Sequence, residues 1–169
     1  MSQATREHKQ QAPLRVACAV CTVSDTRTLE TDTGGGLLVE MLQQAGHTVA
    51  AREIVPDEPE RMLPLLGHWR DNDAIQCVLM TGGTGITARD QTFETVSSLL
   101  TKTLPGYGEL FRMLSYQEIG AAAILSRAVG GIMDRTVLLT MPGSRAAVRL
   151  AMESIVLPEL PHLVQQATL

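Results

Sequence analysis

The sequence predicts a single α/β domain with three layers, α/β/α, around a mostly parallel central sheet. Residues 15–23, 77–80 and 136–141 are almost unbroken apolar runs, which are typical of strands buried on both faces. Helical patterns separate these runs, and strands that alternate with helices imply right-handed crossovers in an open sheet. A length of 169 residues suits one well-cored domain.

The domain is expected to occupy residues 14–169, because residues 1–13 are polar and end at a proline, as in a flexible arm. This polar start lacks the apolar core of a signal peptide. No apolar run approaches the roughly 20 residues that span a bilayer. We therefore expect a cytoplasmic protein with no membrane partner.

The elements can be predicted in order along the chain. After the strand at 15–23, an apolar stripe predicts a helix that Asp32 or Thr33 caps and Gly46 ends. A less buried strand, Thr48–Val55, follows, and then a second helical stripe that Pro64 should kink or shorten. Later helices are expected near residues 96–100, over residues 110–119, and from Ser144 to just before Pro158.

Charge and composition argue against nucleic acid as a partner. The net charge is −4, no Lys/Arg run compensates locally, and only two Phe, two Tyr and one Trp could stack on bases. Zinc is not expected either, because Cys18 and Cys21 should lie on opposite faces of a strand, Cys77 should be buried, and the four histidines lack ligand spacing. A small anionic ligand is still compatible with this composition.

The most informative segment is Thr81-Gly82-Gly83-Thr84-Gly85, which directly follows an apolar strand. Glycines let main-chain N–H groups approach phosphate oxygens, threonine hydroxyls add donors, and a helix starting near Gln91 would add a partly positive N-terminus. The alternative is a simple tight turn. The segment lacks the lysine of a P-loop and the spacing of a dinucleotide-binding loop.

Four segments follow the predicted strands and should meet at one sheet edge, where open parallel sheets bind ligands. The candidate ligand-binding residues there are Ser24, Asp25, Thr81, Gly82, Gly83, Thr84, Gly85, Pro142, Gly143 and Ser144. Ser126 and Arg127 could add a hydroxyl and a guanidinium fork for an anion. The alternatives are a turn with a surface arginine, and a helix cap at Ser144.

Asp57 and Asp90 are the candidate catalytic and metal-binding residues. Two carboxylates at this edge could hold Mg²⁺, directly or through its waters, against phosphate oxygens. The alternative is that Asp57 forms a capping box with Glu60 and that Asp90 caps the helix after it. A carboxylate can also do both.

Together the motifs resemble the MoaB/MogA family of molybdenum-cofactor biosynthesis proteins over residues 15–160, and residues 111–120 are more similar to the MoaB branch. The motifs that carry the resemblance occur in family order: Val23-Ser24-Asp25, Val55-Pro56-Asp57-Glu58, Thr81-Gly82-Gly83-Thr84-Gly85, Arg89-Asp90-Gln91-Thr92, Pro105-Gly106-Tyr107-Gly108-Glu109, Leu125-Ser126-Arg127-Ala128-Val129-Gly130-Gly131 and Met141-Pro142-Gly143-Ser144.

The resemblance implies Mg-ATP-dependent adenylylation of molybdopterin, with pyrophosphate as the second product. It implies that Asp57 and Asp90 are the essential acidic positions, with Mg²⁺ as cofactor, ATP and molybdopterin as substrates, and a homotrimer or homohexamer as the assembly. One departure is Gly34, which stands where the family usually has a serine. The alternatives are a non-catalytic molybdopterin-binding scaffold and a flavodoxin-like binder, although a flavin site would favour more aromatic residues.

Overall fold

A six-stranded sheet forms the centre of the computed structural model, which describes residue 13 and residues 15–169. The strands are β1 (Ala17–Val23), β2 (Thr48–Val55), β3 (Cys77–Thr81), β4 (Lys102–Thr103), β5 (Gly130–Met133) and β6 (Thr136–Met141). Their order is β2-β1-β3-β6-β5-β4; the first four are parallel to one another, and β5 pairs antiparallel with both β6 and β4. The predicted mostly parallel sheet is confirmed. The predicted arm, apart from Pro13, and the predicted domain start at residue 14 lie outside the described residues.

Helices cover both faces of this sheet. They are α1 (Thr33–Gln44), α2 (Pro59–Arg70), α3 (Thr92–Leu99), α4 (Pro105–Ile119), α5 (Arg145–Ala151) and α6 (Leu157–Thr168). One apolar core joins the sheet to α1, α4, α5 and α6, with Leu38 and Phe111 at its centre, and a second joins it to α2 and α3 through Met62 and Val96. Full burial of such side chains stabilises the fold by about 1.5–3 kcal/mol each. The three-layer prediction is therefore confirmed.

The three cysteines lie in the buried strands. Cys18 and Cys77 are register partners on neighbouring strands in the first core, whereas Cys21 faces the second. The prediction of opposite faces for Cys18 and Cys21 is thus confirmed. Burial raises the pKa of Cys21 to about 12, with smaller contributions from the charges of Glu53 and Asp32, so this thiol is a packing residue.

Two predicted helix boundaries are correct, and the predicted shortening of the next helix at Pro64 is wrong. Helix α1 begins after Asp32, whose Oδ1 accepts from the Gly35 N–H at 2.8 Å, and ends before Gly46, which has φ +85°. Pro64 does not shorten α2, which continues to Arg70. Pro64 is the sixth of the twelve helix residues, and its missing N–H removes the helical partner of one carbonyl only, that of the exposed Glu60 in the first turn.

The last helical segment continues past Pro158, where the sequence predicts an end. A π-type turn, Met152–Val156, follows α5, and the N–H of Leu157 reaches back to the carbonyl of Met152. The α-helical ladder restarts there, so Pro158 stands in a first turn, which needs no N–H at that position. No helix in the described part of the chain is long and apolar enough to cross a membrane.

His47 should make stability depend on pH. Its Nδ1 accepts from the N–H of Val16 at 3.2 Å, and burial lowers its pKa below 6.5. The unfolded chain therefore binds a proton first as pH falls, so the stabilisation is complete above pH 6.5 and is lost as pH drops through the folded-state pKa. We expect His47→Asn to flatten this slope, which is at most about 1.4 kcal/mol per pH unit, in urea unfolding at several pH values. A slope identical to that of the unsubstituted protein would contradict this.

Candidate functional site

The carboxyl ends of β1, β2, β3 and β6 bring the predicted loop segments together at one edge of the sheet. The N–H of Ser24 donates to the carbonyl of Val55 at 2.8 Å, which joins the loops after β1 and β2. The N–H of Gly82 donates to the carbonyl of Met141 at 3.0 Å, which joins the loops after β3 and β6. The parallel sheet thus concentrates polar loops as its topology predicts.

The glycine loop after β3 can take only glycine at two positions. Gly82 has φ +104°, and a Cβ there would lie 2.2 Å from the carbonyl oxygen of Val23. Gly83 has φ +62°, and a Cβ there would lie 2.2 Å from the Thr92 hydroxyl and 2.3 Å from Asp57 Oδ2. Among the described residues, the N–H groups of Gly83, Thr84 and Gly85 have no hydrogen-bond partner. The loop therefore presents three unpaired donors, the property expected of an anion-binding turn.

The carboxylates of Asp57 and Asp90 converge on this loop from opposite sides. A Cβ built on Gly83 would lie 2.3 Å from Asp57 Oδ2, and one built on Gly85 would lie 2.8 Å from Asp90 Oδ2. Asp57 is 6% exposed and Asp90 is half-buried. Two residues that are 33 positions apart in the sequence therefore lie beside one glycine loop.

Asp57 does not form the capping box predicted with Glu60. Glu58 occupies the N-cap position of α2 and makes no capping side-chain bond. Instead, Asp57 Oδ1 accepts from the N–H of Gln91 at 3.0 Å, at the start of α3. Because this contact crosses from β2 to the loop after β3, Asp57 holds two parts of the site together.

Asp90 likewise does not cap α3, because Gln91 occupies that N-cap position and makes no capping side-chain bond. Asp90 Oδ2 accepts from the N–H of Thr87 at 2.8 Å and from its hydroxyl at 2.6 Å. These bonds close a short turn and fix the carboxylate, so its remaining oxygen, Oδ1, can contact a cation. Both cap interpretations from the sequence are wrong.

The local charges set Asp57 apart from its neighbours. Burial raises the pKa of Asp57 above 3.8, and the nearby charges of Asp90 and Asp25 raise it further, against the hydrogen bond from Gln91 and the charge of Arg89. By contrast, hydrogen bonds from Arg89 and from the N–H of Asp57 lower the pKa of Asp25 to about 2. A raised carboxylate pKa in a polar hollow is typical of a functional position.

The oxygens around Gly83 fit a magnesium ion. The hydroxyl of Thr92 is fully buried and has no hydrogen-bond partner among residue 13 and residues 15–169. It lies 2.2 Å from the place that a Cβ on Gly83 would occupy, next to Asp57 Oδ2. No cluster of three or more His, Cys, Asp or Glu side chains that could hold a metal occurs in the described residues. Mg²⁺ does not require one, since it is usually held by one or two carboxylates together with substrate phosphates and waters.

A cavity of about 230 Å³ lies on the other side of the glycine loop. Its polar wall contains Thr84, Gly85, Ser126, Pro142 and Ser144, and its apolar wall contains Phe111, Ile119, Ala123 and Leu125. Gly85 lines this cavity and is also the glycine that Asp90 approaches, so the cavity borders the Asp90 side of the loop, although neither Asp57 nor Asp90 lines it. A larger cavity of about 390 Å³ lies at the opposite edge, near Gln76 and Arg135, away from the glycine loop.

Two predicted ligand residues make internal contacts instead. Thr81 is fully buried and its hydroxyl donates to the carbonyl of Pro142 at 3.0 Å, so it links the loops after β3 and β6. The guanidinium of Arg127 donates to the carbonyls of Gly85 and Asp90, at 2.6 and 3.0 Å. The predicted free anion fork is therefore not present at Arg127.

The other predicted residues form the rim of the site. The hydroxyl of Ser24 accepts N–H groups within its own turn, and Asp25 accepts two bonds from Arg89, at 2.7 and 2.8 Å. Gly143 is exposed, and its carbonyl lies 3.0 Å from where a Cβ on Gly34 would stand. A serine would not fit at position 34 without a shift, so the departure from the family pattern comes with closer packing here.

Sequence reasoning missed Arg89, Gln91 and Thr92 as members of the site. All three lie in a motif that the sequence had singled out, but their partners come from the loops after β1, β2 and β3. The apolar wall of the cavity also went unnoticed, because Phe111 and Ile119 fit an ordinary helical stripe. The one sequence signal that could have identified them is that Thr92 lies only two positions after Asp90 in the chain.

Comparisons with known proteins agree with this geometry. Residues 19–162 match a family model described as a probable molybdopterin binding domain. The chain is 54% identical over 160 residues to molybdenum cofactor biosynthesis protein B of Bacillus anthracis, with 93% of this chain and 94% of that protein covered. A crystal structure of a molybdenum cofactor biosynthesis protein B superposes with TM-score 0.89 at 51% identity, covering 93% of this chain and 98% of the other. A solved structure of MogA gives 0.79 at 25% identity, covering 89% and 99%.

Proposed function

The chain belongs to the MoaB/MogA family of molybdopterin-binding domains, closer to MoaB, and from this premise we propose that it adenylylates molybdopterin with Mg-ATP. Family membership gives it a role in molybdenum cofactor biosynthesis. In the proposed reaction, an oxygen of the pterin's terminal phosphate attacks the α-phosphorus of ATP. The new P–O bond forms as the bond to the β-phosphate oxygen breaks, and pyrophosphate leaves.

The observation that carries the proposal is the meeting of Asp57, Asp90 and the unpartnered Thr92 hydroxyl beside a glycine loop with unpaired N–H donors. Two anionic substrates repel each other, so their reaction needs neutralisation and alignment more than a nucleophilic side chain. Mg²⁺ held by these oxygens would supply that neutralisation. No covalent intermediate with the protein is required.

The chain's own residues have separate tasks in this proposal. The N–H groups of Gly83, Thr84 and Gly85 donate to phosphate oxygens, as fixed donors that need no rearrangement during the reaction. Ser126 and Ser144 orient the substrate in the cavity beside the loop. The cavity's apolar wall shields that substrate from water, which strengthens the electrostatic contacts.

The test is an incubation of the protein with molybdopterin, ATP and Mg²⁺, followed by detection of adenylylated molybdopterin and pyrophosphate. We expect both products in equal amounts, and none when Mg²⁺ is removed with a chelator. A protein that binds molybdopterin tightly but forms neither product would be a non-catalytic scaffold, the alternative function. Stabilisation by flavin alone in a thermal shift would point to an unrelated phosphate ligand.

We also propose that the protein works as a homotrimer or homohexamer. Its support is the exposed apolar face of α4, where Met113, Tyr116 and Ile119 are 53%, 63% and 59% exposed. Light scattering should give three or six times the 18.3 kDa of one chain. Met113→Asp should lower that mass, whereas Leu63→Asp on the opposite side of the sheet should not. A single-chain mass for the unsubstituted protein would contradict the proposal.

A further inference from the structure

Arg127 ties the two ends of one loop together. We name residues 85–90 the acidic loop, because they lead from the glycine loop to Asp90. The Nε–H of Arg127 donates to the carbonyl of Gly85 at 2.6 Å, and an Nη2–H donates to the carbonyl of Asp90 at 3.0 Å. The backbone N–H of Arg127 donates to the carbonyl of Thr84 at 2.9 Å. One residue therefore fixes the width of the acidic loop.

Two residues of α3 hold the guanidinium in this orientation. An Nη1–H of Arg127 donates to Glu94 Oε1 in a short contact, and the Phe93 ring centre lies 5.3 Å from Cζ. The guanidinium is planar and rigid, so bonds in three directions together with a stacking contact leave it little freedom. A lysine carries one compact ammonium and cannot reproduce this set of bonds.

We propose that Arg127 is a positioning residue for Asp90: by bracing the acidic loop, it keeps that carboxylate beside Gly85 and within reach of the cation that Asp57 faces. The catalytic consequence rests on the proposed function. The brace itself is a property of the protein alone and can be measured without substrates.

Amide hydrogen exchange at Thr87 measures the brace directly, because its N–H donates to Asp90 Oδ2 at 2.8 Å. In Arg127→Lys and in Glu94→Gln we expect this amide to exchange about tenfold faster, the effect of losing one charge-assisted bond. Arg149→Lys is the matched control, since Arg149 lies on α5, away from α3, and forms an exposed ion pair with Glu153. Exchange at Thr87 that stays unchanged in both test variants would overturn the proposal, whatever reaction the protein catalyses.

Kinetics separate positioning from direct substrate contact. We expect Arg127→Lys and Glu94→Gln to lower kcat about tenfold and to raise the Mg²⁺ concentration needed for half-maximal rate, with KM for ATP and molybdopterin almost unchanged. If Arg127 contacted an anionic substrate, Arg127→Lys would raise KM, and Glu94→Gln would leave binding equal or tighter. That pattern would overturn the proposal.

Two further points keep the test decisive. Glu94→Gln changes an exposed carboxylate, so it serves if Arg127→Lys folds poorly. If the unsubstituted protein forms no product, the adenylylation proposal is wrong but the positioning proposal is not, because the exchange result at Thr87 does not depend on turnover.

Discussion

Asp57→Asn is expected to lower the adenylylation rate by at least about 100-fold while the protein keeps or gains stability at neutral pH. The side-chain amide has nearly the same shape, and its oxygen can still accept from the N–H of Gln91. What disappears is the charged oxygen that faces Gly83 and the Thr92 hydroxyl. The variant therefore separates the proposed metal-binding role of Asp57 from its structural one.

The stability half of this prediction follows from the sign of the pKa shift. Burial, then the charges of Asp90 and Asp25, raise the pKa of Asp57 above its unfolded value of 3.8. Its favourable contribution is complete below pH 3.8 and is lost as pH rises through the folded-state pKa, so the ionised group costs stability at neutral pH. Asp57→Asn removes that cost, and its advantage over the unsubstituted protein should grow from acidic to neutral pH.

Chemical denaturation across this pH range and the product assay together check both halves. Asp73→Asn is the matched control, because Asp73 is exposed and lies in the turn after α2. It should change neither the rate nor the pH dependence. An Asp57→Asn variant that unfolds more readily at neutral pH, or keeps its turnover, would contradict the assignment.

The sequence was sufficient for the central sheet because strands buried on both faces leave a strong apolar signal. The run at Thr136–Met141 has that signal, whereas Gly130–Met133 begins with two glycines and pairs antiparallel with the strand on each side, one strand in from the sheet edge. Such a short strand is decided by its neighbour, so a local pattern cannot reveal it. The predicted helix end before Pro158 was wrong for a related reason. The π-type turn before Leu157 places Pro158 in the first turn of a new helix, where no backbone N–H is needed.

The candidate site also has features that the sequence could predict and features that it could not. That Asp57 and Asp90 lie at the same edge of the sheet could be predicted, because parallel strands bring their carboxyl ends to one edge. Their hydrogen-bond partners could not, because Gln91 and Thr87 contact them through turns whose geometry depends on the whole loop. Arg127 was predicted to bind an anion through its guanidinium. Its actual contacts, with two carbonyls and Glu94, appear only in three dimensions.

Asp32→Ala should produce the largest loss of stability of any substitution considered, about 3 kcal/mol. Asp32 is 5% exposed, and its carboxylate accepts three hydrogen bonds, from Thr22, Gly35 and Arg52, at 2.7, 2.8 and 3.1 Å. Alanine would leave the half-buried Arg52 charge, the Thr22 hydroxyl and the first turn of α1 without this partner. Typical domains have only about 5–15 kcal/mol in total, so the change should be large in urea unfolding.

A variant pair tests whether the unpaired arginine causes that loss. Arg52 Nε already lacks a hydrogen-bond partner in the part of the chain that the structure describes, so removal of Asp32 leaves a poorly compensated charge whose side chain is 25% exposed. Combining Asp32→Ala with Arg52→Met removes both charges, and we expect the double variant to be more stable than Asp32→Ala alone. The stability of Asp32→Asn should lie between that of the unsubstituted protein and that of Asp32→Ala, because the amide oxygen can still cap α1. A double variant that loses the sum of both single changes would show that the carboxylate acts as a cap and that its pairing with Arg52 adds nothing.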